Sequence, residues 1–204
     1  TLYGKVVINH AKLILSQVRQ ISEEITSISH GVTGHINVGT LLAASPTLIP
    51  QSVLKLKEER PNITFTIIEG TNDKLMPALR TGDIDLVVGR LPEYREREGI
   101  SQDIIYHEPI VLVARKNHPL AAKPKLSFST LKEYDWILPP PATSLRRQIE
   151  TEFRNAGLEP PRQSIESISI LTNFKLLCET DMIAAMPLHI VENNNDLTIL
   201  PMTF

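Results

Sequence analysis

Between residues 36 and 90 the chain reads Ile36-Asn-Val-Gly-Thr-Leu41, then Ile63-Thr-Phe-Thr-Ile-Ile68, then Ile84-Asp-Leu-Val-Val88. Each run is short, apolar and rich in β-branched residues, which is the signature of a strand. The stretches between them carry helix signals. Ser45-Pro46 offers an N-cap followed by a proline at the first helical position, and predicts a helix running to about Glu59, where Pro61 stops it. Asn72 or Asp73 is expected to cap a second, shorter helix that ends near Gly82 and turns Leu75 and Leu79 inward. Strands alternating with helices in this way imply a mostly parallel sheet with helices on both faces.

Toward the C-terminus the pattern repeats without sequence similarity. Residues 91–103 are charged and unpatterned and read as a solvated loop. Ile110 to Ala114 reads as a strand, and the proline-rich stretch from His118-Pro119 to Ser129 marks a turn or lobe boundary. Trp136 to Leu138 is a short strand, followed by the rigid corner Pro139-Pro140-Pro141. Thr143 or Ser144 then caps a helix through Asn155, with Leu145, Ile149 and Phe153 on one face and Gly157 after its end. Ser164 to Ile168 is read as a strand, Ile170 to Glu179 as a helix, and Met182 to Met186 and Leu197 to Leu200 as strands.

Toward the N-terminus the periodicity changes. Val7, Ala11, Ile14, Val18, Ile21, Ile25 and Ile28 alternate spacings of four and three, a heptad seam on a helix over residues 5–29. Lys12, Gln17, Arg19, Gln20, Glu23 and Glu24 occupy its other faces. So narrow a seam suits pairing with a second helix, and Gly31 and Gly34 are expected to end the element.

Composition bounds the function. The 204 residues are 42% hydrophobic with a formal net charge of -2, and the charges are dispersed. Without a basic block, these residues are not expected to hold nucleic acid by themselves, because that affinity comes mainly from phosphate neutralisation. One cysteine, Cys178, permits no internal disulfide and suits a reducing cytoplasm. No apolar run is long enough to span a membrane. The chain contains no Gly-x-Ser-x-Gly, Walker loop, dinucleotide glycine fingerprint or His-Glu-x-x-His. Its six histidines are scattered, so neither catalytic residues, nor a metal site, nor a cofactor is expected.

What recurs is a hydroxyl at the start of a helix just after a strand: Ser45, Thr71, Thr143 with Ser144, and Ser167 with Ser169. Open parallel sheets bind ligands beyond the carboxyl ends of their strands. The backbone N–H groups of a helix N-terminus favour an anion there. Two lobes lined in this way would form a cleft for a small molecule.

Several motifs together resemble the LysR-type transcriptional regulators. Thr1-Leu-Tyr-Gly-Lys5 resembles the end of the family's winged helix-turn-helix domain, and residues 5–29 its dimerising linker helix. Gly34-His-Ile-Asn-Val-Gly39, Pro50, Glu58-Glu-Arg-Pro61, Glu69-Gly70, Leu79-Arg-Thr-Gly-Asp-Ile-Asp-Leu-Val-Val-Gly-Arg90, Ala114-Arg-Lys-Asn-His-Pro-Leu-Ala121 and Met182-Ile-Ala-Ala-Met-Pro187 fall as that family has them. Trp136-Ile-Leu-Pro-Pro-Pro-Ala-Thr-Ser-Leu-Arg146 is similar to the branch of galactose-related and protocatechuate-pathway regulators.

The resemblance implies a two-lobed, type 2 periplasmic-binding-protein-like α/β fold behind an N-terminal linker helix. Residues 1–34 would be the linker, 35–107 lobe I, and 108–204 lobe II with the start of the return crossover, the C-terminal return segment being apparently missing. It implies an effector-sensing domain of a cytoplasmic homodimer or homotetramer that reaches promoter DNA only through an N-terminal domain absent from these residues. The effector, a carboxylate, sugar or sugar acid, would meet Ala43, Ser45, Thr71, Thr143, Ser144, Leu145, Ser167, Ile168 and Ser169. Ala43 stands where relatives that sense aromatic acids often carry a hydroxyl, and Ala142 where a glycine is common in this branch. The alternative on the same architecture is a solute-binding protein for transport. An enzyme with the cleft as active site would need a buried titratable pair, which the sequence does not require.

Overall fold

The computed structural model describes residues 1–29, 34–41, 44–90 and 100–203. The expected glycine stop at Gly31, the site residue Ala43 and most of the charged loop, residues 91–99, lie outside the described residues. The chain divides into two compact units, Thr1–Asp103 and Ile104–Phe204.

The first unit opens with helix α1, Leu2–Ser29. Its heptad residues Val7, Ala11, Ile14, Val18, Ile21 and Ile25 are all exposed. At 100° per residue, Ser16 and Gln20 fall on the face opposite that seam. This is the face that docks. Ser16 is buried and its Oγ donates to the Gly82 carbonyl at 2.5 Å. Arg19 Nη2 meets Asp83 Oδ1 at 3.0 Å, and Gln20 Nε2 donates to Asp85 Oδ1 at 3.2 Å. Asp85 Oδ2 in turn accepts from the backbone N–H of Asn37 at 2.7 Å. The helix is thus fastened to the body by polar contacts, while its apolar seam points to solvent.

The Arg19–Asp83 pair carries a pH signature. The Thr81 hydroxyl, donating to Asp83 at 2.6 Å, lowers that carboxyl below its ordinary value of 3.8. The Arg19 guanidinium adds to the effect, and burial opposes it. A lowered folded-state value stabilises the protein above the ordinary carboxylate range, and this contribution is lost as pH falls through the folded value. Asp83→Asn is therefore expected to cost stability at pH 7, by less than about 1 kcal/mol because the pair is half-exposed. Urea titrations at pH 7 and pH 3 check this: the gap between variant and wild type should shrink at pH 3, and an equal gap at both would rule out the carboxylate as its source.

Strands β1 (His35–Thr40), β2 (Thr64–Glu69) and β3 (Leu86–Val88) form an all-parallel sheet in the order β2-β1-β3. Helices α2 (Leu48–Glu59) and α3 (Asn72–Arg80) make the crossovers. Val38, Ala44 and Ile49 form one small core, and Leu41, Leu75 and Ile84 another. Two predicted helix starts move. Helix α2 begins after Thr47, not at Pro46, because Ala44 to Thr47 form a turn, closed by Ile49 N–H to Ala44 O at 3.1 Å. Thr71, not Asn72 or Asp73, is the N-cap of α3. Strand β3 is also shorter than expected. Asp83 and Asp85 lie in the bend before it, held by α1 and Asn37.

The second unit is a five-stranded sheet, β6-β5-β7-β4-β8, built from β4 (Ile110–Arg115), β5 (Trp136–Leu138), β6 (Gln163–Glu166), β7 (Ile183–Pro187) and β8 (Leu197–Thr203), with the short helix α4 (Phe128–Leu131) between β4 and β5. Strands β6, β5 and β7 run parallel, whereas β4 is antiparallel to both β7 and β8. Alternation sorts the side chains onto two buried faces. Leu112, Trp136, Leu138 and Ile183 meet Ile149 and Phe153 of α5 (Ser144–Asn155). Val113, Ile137, Ala184 and Met186 meet Leu177 of α6 (Ile170–Glu179). Trp136 Nε1 donates to the Leu131 carbonyl at 3.0 Å, so the indole is buried with its polar atom paired. Cys178 packs at the edge of the α6 core. The stretch after β4 is internal to this unit. There His118, buried, accepts from the Leu120 N–H through Nδ1 and meets the Asp181 carbonyl through Nε2, fixing the Nε2–H tautomer. Among the described residues no helix is long and apolar enough to cross a membrane.

Candidate functional site

In the first unit the carboxyl ends of β1 and β2, which are adjacent and parallel, bring Ser45 and Thr71 to one edge of the sheet. Ser45 is half-buried, and its Oγ donates to Glu69 Oε2 at 3.2 Å, at the last residue of β2. Its hydroxyl serves Glu69 and does not cap α2. Thr71 is 7% exposed and makes no side-chain capping bond; its carbonyl accepts from the N–H groups of Lys74 and Leu75. Its hydroxyl is therefore not committed to the helix. Arg90 follows β3 at the same edge, and burial holds its guanidinium below the ordinary arginine value.

In the second unit the ends of β5 and β6, again adjacent and parallel, carry the other predicted residues. Thr143 caps α5: its Oγ1 accepts from the Arg146 N–H at 3.2 Å and donates to the Pro140 carbonyl at 2.8 Å. Ser144 is half-buried beside it. Leu145 faces inward, packed in the α5 core. Ser167 N–H donates to the Leu138 carbonyl, tying the two strand ends together, and its Oγ accepts from the Ser169 N–H. Ser169 caps α6, accepting from the Thr172 N–H and hydroxyl. Ile168 between them is half-buried. Arg146 is buried in the first turn of α5, with Nε 2.6 Å from Glu150 Oε1 and Nη1 donating to the Pro139 carbonyl. A cation at a helix N-terminus opposes the dipole, and Glu150 offsets it.

The hydroxyls named from sequence stand at the two sheet edges, together with two buried amides that the sequence did not mark. Asn72, 2% exposed, has neither carboxamide atom paired, and Asn173, 5% exposed, has its Oδ1 unpaired. The only sequence signal was an asparagine in the first turn of a helix, which reads as an ordinary capping residue. Among the described residues no three His, Cys, Asp or Glu side chains are placed to hold a metal ion.

Known proteins resemble this chain in sequence and in fold. The HTH-type transcriptional regulator GbpR of Azospirillum brasilense is 31% identical over 182 residues, which are 89% of this chain and 53% of that protein. The chain spans about half the length of the curated relatives it matches. The effector binding domain of QuiR, solved in complex with shikimate, superposes with a TM-score of 0.68 at 20% identity, covering 83% of this chain and 81% of that one. The CcmR regulatory domain of Synechocystis PCC6803, solved in complex with 2-PG, gives 0.66 at 20% identity, covering 82% and 80%. The family model for the LysR substrate binding domain matches residues 29–204, so the chain belongs to the LysR substrate-binding-domain family.

Proposed function

We propose that the chain is the sensing part of a cytoplasmic LysR-type transcriptional regulator that takes a small effector between its two lobes. The observation that carries this reading is the gathering of Ser45 and Thr71 in one unit, and of Thr143, Ser144, Ser167 and Ser169 in the other, at the carboxyl edges of parallel strands. Helix N-termini and hydroxyls at such edges suit oxygen-rich small molecules. QuiR and CcmR, solved with shikimate and 2-PG, share the fold and lend support. We divide the chain into a linker helix, residues 1–34, lobe I, 35–107, and lobe II, 108–204.

The whole protein would bind promoter DNA through a separate N-terminal domain. It would assemble as a dimer or tetramer, with the exposed α1 seam pairing against a second copy. Gel-shift assays of the full-length protein on its own promoter, with and without effector, test the regulatory role; failure to bind any promoter fragment would defeat it. The site itself is tested by thermal melting. An effector raises the transition by mass action. Thr71→Val and Ser144→Ala should each weaken the response by about tenfold in affinity, the loss of one hydrogen bond to a buried ligand. Unchanged affinity in both variants would displace the site from these sheet edges.

A further inference from the structure

Asn72 is the first residue of α3 and stands beside Thr71 at the carboxyl edge of the first sheet. It is 2% exposed, and neither its Nδ2 nor its Oδ1 has a hydrogen-bond partner. Exchanging the two amide atoms changes nothing, since both are unpaired. The Cα–Cβ bond of a helical residue tilts toward the helix N-terminus, and α3 starts just after the end of β2. Burying a donor and an acceptor together without partners is costly, and an apolar residue of the same shape would be spared that cost. The second unit repeats the arrangement. Asn173 lies one turn into α6, over its cap Ser169, and is 5% exposed with Oδ1 unpaired.

We infer that Asn72 and Asn173 are specificity residues of the proposed effector site, and that the effector is a polyhydroxylated molecule, a sugar or sugar acid. This rests on the site reading above. Two of the three unpaired atoms are acceptors, so whatever completes them must donate hydrogen bonds. An ionised carboxylate has none to give and would set its oxygen against Oδ1. A hydroxyl both donates and accepts, and two neighbouring hydroxyls match the two atoms of one carboxamide. Simple acids without hydroxyls are thereby disfavoured, while an acid group on a hydroxylated skeleton could still use a helix N-terminus.

The test is thermal melting and titration of the full-length protein against three sets of probes. These are neutral aldoses and polyols (glucose, galactose, arabinose, inositol), the corresponding aldonates, and hydroxyl-free acids (benzoate, succinate). A member of the first two sets should raise the transition, and the third set should not. Asn72→Leu should leave the ligand-free transition unchanged or raise it by about 2–4 °C, because it removes two unpaired buried groups. It should weaken the active probe by at least about tenfold. Asn173→Leu should behave in the same way.

A transition lowered by Asn72→Leu would mean the amide has structural partners, and would overturn the inference. So would a shift produced by benzoate or succinate, or no shift from any hydroxylated probe. Thr71→Val separates the two readings. If it weakens the active probe and Asn72→Leu does not, the site stands and the inference falls. If neither weakens it, both fall.

Discussion

Gly89→Ala is expected to destabilise the first unit by on the order of 3 kcal/mol or more, the sum of a forbidden backbone and a blocked side chain. Gly89 has φ +145°, a region open in practice to glycine alone. A Cβ placed there would lie 2.6 Å from Leu41 Cβ and 3.2 Å from Leu41 Cα. Neither partner can step aside. Leu41 is buried in the core shared with Leu75 and Ile84, and its N–H donates to the Val88 carbonyl at 2.9 Å, clamping it to the residue before Gly89. Relief would have to come from the β1–β3 pairing, where Thr40 faces Val88.

Gly157→Ala is the matched control. Gly157 also has positive φ, +71°, but nothing lies within 4 Å of its missing Cβ. It should cost only the backbone preference, about 1 kcal/mol. Denaturant titrations of both variants decide the matter: equal losses would mean that the Leu41 contact is harmless.

The same segment shows what sequence could and could not disclose. The apolar runs at 36–41, 63–68 and 84–88 named the strands because β-branched residues in short runs have few other homes. Ile149 and Phe153 announced the buried face of α5 by their spacing, and α6 runs over the expected span from Ile170 to Glu179. Strand direction was not legible. Strand β4 is buried on both faces, with Leu112 in one core and Val113 in the other, and such a run reads the same in either orientation. The start of α2 was misplaced because Ser45 and Pro46 satisfy a helix-start rule locally, while the turn before Thr47 and the Ser45–Glu69 bond are set by distant residues. The hydroxyls of the proposed site could be named, since hydroxyls at helix starts have a sequence signature. The unpaired amides could not, since a missing partner is a property of surroundings and not of any residue type.

Substituting Ile14 and Ile21 together with glutamate is expected to convert the full-length protein to a monomer while leaving each chain folded. Both side chains are solvent-exposed on the single chain, at 64% and 57%. A surface change of this kind normally moves stability by no more than about 0.5 kcal/mol. Pairing two copies through the seam would cover four such isoleucines. At about 1 kcal/mol for the area each still exposes, their loss weakens association by about 4 kcal/mol, a thousandfold in Kd before charge repulsion is added.

The competing arrangement, in which α1 lies its apolar face on its own unit, is already met by the opposite result. The docked face is the polar one, through Ser16, Arg19 and Gln20. Sedimentation across a range of concentrations reads the outcome, with Gln17→Glu, a substitution off the apolar seam, as a charge control. If the double variant sediments as wild type does, the copies are held together elsewhere and the seam has another occupant. If it is monomeric and Gln17→Glu is not, α1 works as a two-sided element, fastened to its sensor by hydrogen bonds and to its twin by hydrophobic contact.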